Sequence, residues 1–212
     1  MTQVHPTLLH YFGDAFSDAP PRSEQDSGDE ERAGSCAAMM AWQPVELSPI
    51  IRNIEGFLQR DNAAMAKELS AASGIAWLQD ATGLGRLHRI LSIIRDRLSE
   101  WQRLIDEANQ LGQVFFSAFG ACFEQSLVNL EDRDDVSQRA VRCARQIAAQ
   151  PAALTALTDT LTRLLVVKHR GLLLRLEQVS GVDWQFNDQT ERILVSILEE
   201  IRSELLRICD PA

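Results

Sequence analysis

Eight apolar residues follow one another along the middle of the chain at alternating spacings of three and four positions. They are Leu84, Leu87, Leu91, Ile94, Leu98, Trp101, Ile105 and Ala108. This spacing places the side chains along one side of a helix, and its repetition over more than three heptads is typical of coiled-coil packing. We name these residues the heptad seam. The seam predicts one long amphipathic helix from about residue 84 to 110.

The rest of the chain also favours helices. No proline lies between Pro49 and Pro151, so long uninterrupted helices are permitted. Ser48 followed by Pro49 is typical of a helix start, and Gly181 of a helix end. We therefore expect an all-α fold, an elongated bundle of five to seven helices with a coiled-coil-like heptad helix. No internal repeat is apparent in the sequence.

The first 46 residues differ from the remainder in charge. They contain eight acidic residues and two arginines, in a chain of 212 residues whose formal net charge is -9. Residues 20–32 lack aliphatic and aromatic side chains, so this segment cannot bury enough apolar surface to offset its ordering entropy. We predict a mostly disordered acidic leader over residues 1–46, with a short apolar peptide at its start, and a helical bundle domain over residues 47–212.

Several classes of protein are disfavoured by composition. The chain has 30 acidic and 21 basic residues, whereas direct nucleic-acid binding needs clustered lysine and arginine. No apolar stretch approaches the roughly 18 residues of a membrane-spanning helix. The N-terminus has no basic residue before its short apolar run and reaches Asp14 within a few positions, unlike a secretory signal peptide. We expect no membrane span and a cytoplasmic or nuclear location.

No catalytic, cofactor-binding or metal-binding pattern is apparent. The four cysteines lie far apart without a CxxC pair, and the four histidines have no metal-ligand spacing. Phosphate-binding loops, dinucleotide-binding fingerprints and nucleophile elbows are absent from the sequence. The sequence therefore predicts no enzyme, no cofactor and no metal site.

The N-terminal segment His5-Pro-Thr-Leu8-Leu-His-Tyr11-Phe12 combines an aliphatic residue with paired aromatics. Leu8, Tyr11 and Phe12 match the apolar plug of the sliding-clamp interaction peptide, which this segment resembles. His5 replaces the glutamine of that peptide, and its basic flank is missing. The resemblance covers eight of the 212 residues and implies a sliding clamp as partner. The alternative is a short helix that docks on the body of the protein or on another partner.

Together these patterns favour a non-catalytic interaction protein, a subunit or adaptor of a larger assembly with helical partner subunits. The expected contacts within the seam are Leu91, Ile94, Leu98, Trp101 and Ile105. Leu8, Tyr11 and Phe12 would form a second, tethered contact. Two alternatives stay open: a secreted bacterial effector whose helical body binds host proteins, and a genome-maintenance factor tethered to a sliding clamp. The regularity of the seam predicts packing between chains, and packing within the chain is the alternative that stays open, because many intramolecular bundles have the same pattern.

Overall fold

The structure is a computed structural model that describes residues 3–17, 26–43, 46–60, 63–78, 81–125, 128–150, 154–167, 169–184 and 188–209. These residues form ten helices and no strand, which confirms the all-α class. The helices are α1 (Pro6–Phe16), α2 (Asp26–Ala41), α3 (Leu47–Arg60), α4 (Ala63–Ser73), α5 (Ala81–Asn109), α6 (Gly112–Phe123), α7 (Arg133–Ala148), α8 (Leu154–Val166), α9 (Arg170–Ser180) and α10 (Asp188–Cys209).

The chain divides into two compact units. Unit 1 is Met1–Arg103 and unit 2 is Leu104–Ala212. The division falls inside α5, the long amphipathic helix that the heptad seam predicts. Unit 1 therefore contains α1 to α4 and most of α5, and unit 2 contains the end of α5 and α6 to α10. This division differs from the predicted boundary between residues 46 and 47.

The two units repeat one helical framework at a constant offset of 107 positions. Both ends of α2 and α7 obey this offset, and so do both ends of α4 and α9. In chain order, α1, α3 and α5 correspond to α6, α8 and α10. At this offset 24 of the 105 aligned residue pairs are identical. The chain is a tandem repeat, and the expectation of no internal repeat is wrong. Most aligned positions differ, so helical periodicity alone does not reveal it.

A Ser-Gly-x-x-Trp corner follows α4 in unit 1. The Ser73 hydroxyl donates to the Leu69 carbonyl oxygen at 2.8 Å and accepts a hydrogen bond from Trp77 Nε1 at 3.0 Å. Gly74 has a φ of 69°, in the left-handed region that glycine adopts without steric cost. The chain therefore turns sharply after α4 and returns the buried indole to the serine that ends the helix.

The same corner follows α9 in unit 2. The Ser180 hydroxyl donates to the Leu176 carbonyl oxygen at 2.7 Å and accepts from Trp184 Nε1 at 3.0 Å. Gly181 has a φ of 71°. Both tryptophans are buried, and each has its only polar side-chain atom hydrogen-bonded, as buried indoles require.

An aromatic stack covers each corner. In unit 1 the Phe12 and Phe16 rings stack with centroids 4.7 Å apart, and the Phe12 centroid lies 6.0 Å from that of Trp77. In unit 2 the corresponding distances are also 4.7 and 6.0 Å, and the three rings are Phe119, Phe123 and Trp184. The repeat is therefore preserved in side-chain geometry as well as in helix order.

Each unit has a glycine where its first helix crosses its fourth. A Cβ atom on Gly13 would lie 3.1 Å from the Ala72 carbonyl oxygen, and one on Gly120 would lie 2.7 Å from the Val179 carbonyl oxygen. Such short distances leave no room for a methyl group in unit 2 and little in unit 1. The close crossing brings the aromatic stack of the first helix onto the corner that follows the fourth.

The described part of residues 1–46 packs into unit 1, in contrast to the expected disordered leader. The α2 residues Ala33, Cys36, Ala37 and Met40 have no exposed surface. Their spacing gives a stripe of small side chains that lets α2 pack closely, despite its many charges. The sequence did not predict this stripe, because the many charged residues of the segment indicated disorder. Residues 1–2, 18–25 and 44–45, which the leader prediction also covers, lie outside the described residues.

The corner predicts that its serine hydroxyl stabilises each unit. We expect Ser73→Ala and Ser180→Ala each to lower the free energy of unfolding by about 1–3 kcal/mol, because each leaves a buried indole N–H without an acceptor. Urea denaturation monitored by tryptophan fluorescence measures this loss. Ser203→Ala is the control, because the exposed Ser203 hydroxyl donates to the Glu199 carbonyl oxygen at 2.8 Å and has no indole partner. Equal small losses in all three variants would contradict the prediction.

Candidate functional site

A groove of about 980 Å³ lies in unit 2 between the start of α7 and the first half of α10. Its apolar lining consists of Leu130, Val136 and Ile193. Its charged lining consists of Glu131, Arg133, Asp188, Arg192 and Glu200. Val136 is buried, and Leu130 and Ile193 pack against the core while remaining partly exposed. The groove therefore has an apolar floor and a charged rim.

Local hydrogen bonds fix the helices that form the groove. The Asp132 carboxylate accepts from the backbone N–H groups of Asp134 and Asp135, both at 3.1 Å, and so caps the start of α7. Further along, the Ser137 hydroxyl donates to Glu200 Oε1 at 2.5 Å and joins α7 to α10. Both walls are therefore held in place by interactions within unit 2.

Unit 1 carries a buried ion pair at the positions that correspond to Val136 and Ile193. There, Arg86 Nε and Nη2 donate to the two carboxylate oxygens of Asp29 at 2.6 and 2.7 Å. Asp29 is only 4% exposed, and the guanidinium of Arg86 lies 5.3 Å from the centre of the Trp77 ring. The hydrogen bond to Asp29 raises the pKa of Arg86.

The two units thus differ sharply at one shared place. In unit 1 a long arginine is held between an aspartate and a tryptophan. In unit 2 two shorter apolar side chains stand at these positions and line the groove, while the tryptophan is retained as Trp184. Unit 2 has apolar residues where unit 1 has the ion pair. It therefore has an apolar surface beside its Ser-Gly-x-x-Trp corner, whose geometry is the same as in unit 1.

The middle of the heptad seam lies in the core of unit 1, whereas Ile105 and Ala108 belong to unit 2. Leu91, Ile94 and Leu98 have no exposed surface, and identical residues stand at the corresponding positions of α10. Trp101 and Ile105 are half-buried, and the Trp101 ring centroid lies 6.4 Å from that of Trp42. The structure thus uses the buried part of the seam for packing within the chain. Partner contact by these residues stays a prediction.

The residues of the clamp-like peptide lie in α1. Leu8 and Phe12 are fully buried in unit 1, and Tyr11 is half-buried. This arrangement corresponds to the short docked helix given as the alternative above. A sliding clamp could reach Leu8 and Phe12 only if α1 left unit 1, so clamp binding stays a prediction.

Other chemistry is sparse in the described part of the chain. No group of three or more His, Cys, Asp or Glu there could hold a metal ion. His169 is buried, and its Nε2 atom lies 2.9 Å from a Glu107 carboxylate oxygen. Both residues belong to unit 2. Among the described helices, none has the length and apolar character needed to cross a membrane.

Comparisons with protein-family models, with curated proteins and with solved structures find no match to this chain. The groove residues were missed by sequence reasoning because Val136 and Ile193 look like ordinary core positions of amphipathic helices. The available signal was the recurrence of Ser-Gly-x-x-Trp at Ser73 and Ser180. Alignment on that motif sets the charged pair of unit 1 against the apolar pair of unit 2.

Near the corner of unit 2, Glu177 occupies the position of Ser70 in unit 1. Ser70 Oγ accepts a hydrogen bond from the Trp77 backbone N–H at 3.3 Å. In the same way, the Glu177 carboxylate accepts a hydrogen bond from the Trp184 backbone N–H. Burial and the nearby charge of Asp183 raise the pKa of Glu177 to about 7. Its Oε2 atom is buried and has no hydrogen-bond partner among the described residues.

The raised pKa of Glu177 predicts a specific pH dependence. The folded state favours the protonated form of Glu177. Protonated Glu177 therefore contributes fully to the free energy of unfolding below about pH 4.5, and this contribution is lost as the pH rises through about 7. We expect Glu177→Gln to stabilise the protein relative to wild type by about 1–2 kcal/mol more at pH 8 than at pH 5, after allowance for solvent screening. Urea denaturation at both pH values measures this difference. A pH-independent effect of the substitution would count against it.

The Asp29–Arg86 pair predicts strong coupling in unit 1. We expect Asp29→Val or Arg86→Ile alone to cost about 3–5 kcal/mol, because each leaves a buried charge unpaired. The double variant, which places the residues of unit 2 in unit 1, should lie within about 1 kcal/mol of wild type. A double-mutant cycle by chemical denaturation measures the coupling. Additive losses would show that the pair does not act as a unit.

Proposed function

We propose that the chain is a non-catalytic subunit of a larger protein assembly, and that the groove of unit 2 receives a basic segment of a partner protein. One observation carries the proposal. At a place where unit 1 holds the Asp29–Arg86 ion pair, unit 2 directs Val136 and Ile193 into a groove. The two units thus share one framework, and unit 2 has a binding surface at this place.

The lining indicates the chemistry of the partner segment. The apolar floor suits an aliphatic or aromatic side chain, which gains from leaving water. On the rim the carboxylates of Glu131, Asp188 and Glu200 outnumber the guanidinium groups of Arg133 and Arg192. The whole chain carries a net charge of -9, which attracts positively charged partners and speeds their association. An apolar anchor flanked by lysine or arginine fits both properties.

The groove also needs little rearrangement to bind. The Asp132 cap and the Ser137–Glu200 hydrogen bond fix its two walls before a partner arrives. Preformed walls lower the conformational entropy that is lost on association. This favours recognition of a short segment that adapts to a rigid surface.

The repeat supplies a sharp test of this function. Val136→Asp combined with Ile193→Arg places the unit 1 ion pair in unit 2, where Trp184 is already present to receive the guanidinium, and it leaves the net charge unchanged. We expect this groove-closing variant to lose at least about tenfold in affinity for peptides selected from a random library on the wild-type protein. The selected peptides should contain basic residues beside an apolar one. Fluorescence anisotropy at low and high salt measures the affinities.

The matched control is the reverse exchange in unit 1, Asp29→Val with Arg86→Ile, which should leave peptide affinity unchanged. Circular dichroism and urea denaturation establish that both double variants fold. Two outcomes would overturn the proposal: selected peptides that bind the groove-closing variant as tightly as wild type, or a selection dominated by acidic peptides.

A further inference from the structure

Two cysteines of unit 2 lie side by side in its core. Cys122 is in the last turn of α6 and Cys143 is in the middle of α7. They are 2% and 0% exposed, and both are thiols. On α7, Arg139 and Gln146 lie one turn before and one turn after Cys143, and both contact Cys122. Cys143 therefore faces Cys122 where α6 packs on α7 in one core, and such proximity is the first requirement for a disulfide.

Unit 1 shows that the framework does not need this pair. Cys36 stands at the position of Cys143 and is buried in the same way, but Ala15 stands at the position of Cys122. The two corners and aromatic stacks are the same in both units, so an alanine suffices for packing at this place. The second thiol of unit 2 therefore calls for a chemical reason.

The surroundings of the two thiols favour reaction in unit 2. The neighbouring Cys143 side chain and the positive charges of Arg142 and Arg139 lower the pKa of Cys122. Burial and the charge of Asp14 instead raise the pKa of Cys36 to about 12. Thiolate is the reactive form of cysteine, so near neutral pH Cys122 is the more nucleophilic of these two residues.

Cys122 is the less deeply buried of the two thiols. Its Sγ atom lies 3.7 Å from Oε1 of Gln146, whose side chain is exposed, and its carbonyl oxygen accepts from Arg139 Nη1 at 3.0 Å. The exposed Gln146 side chain therefore lies beside the Cys122 sulfur. Cys143 has no exposed surface, which suits a resolving thiol.

We propose that Cys122 and Cys143 are a peroxide-sensitive dithiol that closes to a disulfide within unit 2. The Cys122 thiolate attacks one oxygen of hydrogen peroxide; an S–O bond forms, the O–O bond breaks, and the departing hydroxide takes the proton released by Cys122 to give water. The Cys143 sulfur then attacks the Cys122 sulfur. An S–S bond forms, the S–O bond breaks, and the hydroxyl leaves with the Cys143 proton as a second water. Two sulfurs are oxidised and the two peroxide oxygens are reduced.

The test is oxidation of the folded full-length chain with hydrogen peroxide, followed by alkylation, intact mass measurement and peptide mapping without reduction. We expect the monomer to lose two hydrogens, about 2 Da, with the Cys122 and Cys143 peptides linked and separated again by dithiothreitol. Dimers formed through the exposed Cys209 are distinguished by mass. Circular dichroism before and after treatment checks that the protein stays folded.

The repeat again supplies matched variants. Cys122→Ala introduces the residue of unit 1 and should abolish the linked peptide, as should Cys143→Ala, whereas Cys36→Ala should form it at the wild-type rate. Three outcomes would overturn the proposal. These are a linked peptide that appears only after unfolding in urea, stepwise oxygen addition at Cys122 without linkage, and a rate of thiol loss that Cys122→Ala does not change.

Discussion

A buried tryptophan that must satisfy its indole N–H determines how each unit is organised. The indole cannot donate to water, so its partner has to be inside the protein. Ser73 and Ser180 supply that partner from the ends of α4 and α9, and a glycine in the left-handed region turns the chain back towards it. The phenylalanine stack of the first helix then covers the indole. Helix end, turn and aromatic core are thereby fixed together.

Because this arrangement is satisfied internally, the rest of each unit has been able to diverge. The pair Asp29–Arg86 and the pair Val136–Ile193 occupy corresponding positions with opposite chemistry. Each choice is self-consistent, since a buried charge has its counter-ion and an apolar residue has apolar neighbours. The dithiol of unit 2 follows the same logic, because Ala15 shows that the second cysteine is not required for packing. Comparison of the two units therefore distinguishes the residues that the shared fold needs from the residues that differ between the units.

The two differences between the units, the groove and the cysteine pair, are both features of unit 2. The groove has an apolar floor and a rim of three acidic and two basic side chains, and the cysteine pair lies on α6 and α7 of the same unit. Unit 1, by contrast, fills the corresponding places with an ion pair and an alanine. The groove and the cysteine pair therefore both lie in unit 2, and the groove supports the proposed binding of a partner segment there.

Sequence periodicity alone determined the helical class and the long helix α5, because helix formation follows local spacing of apolar residues and the absence of proline. Only the tertiary structure decided which apolar stripes are covered. It placed Leu91, Ile94 and Leu98 in the core of unit 1, and it brought the small-residue stripe of α2 into that core despite the surrounding charge. It also set Asp29 against Arg86 and Cys122 against Cys143. Such pairs lie on different helices and are far apart along the chain, so local pattern cannot join them; only packing in three dimensions does.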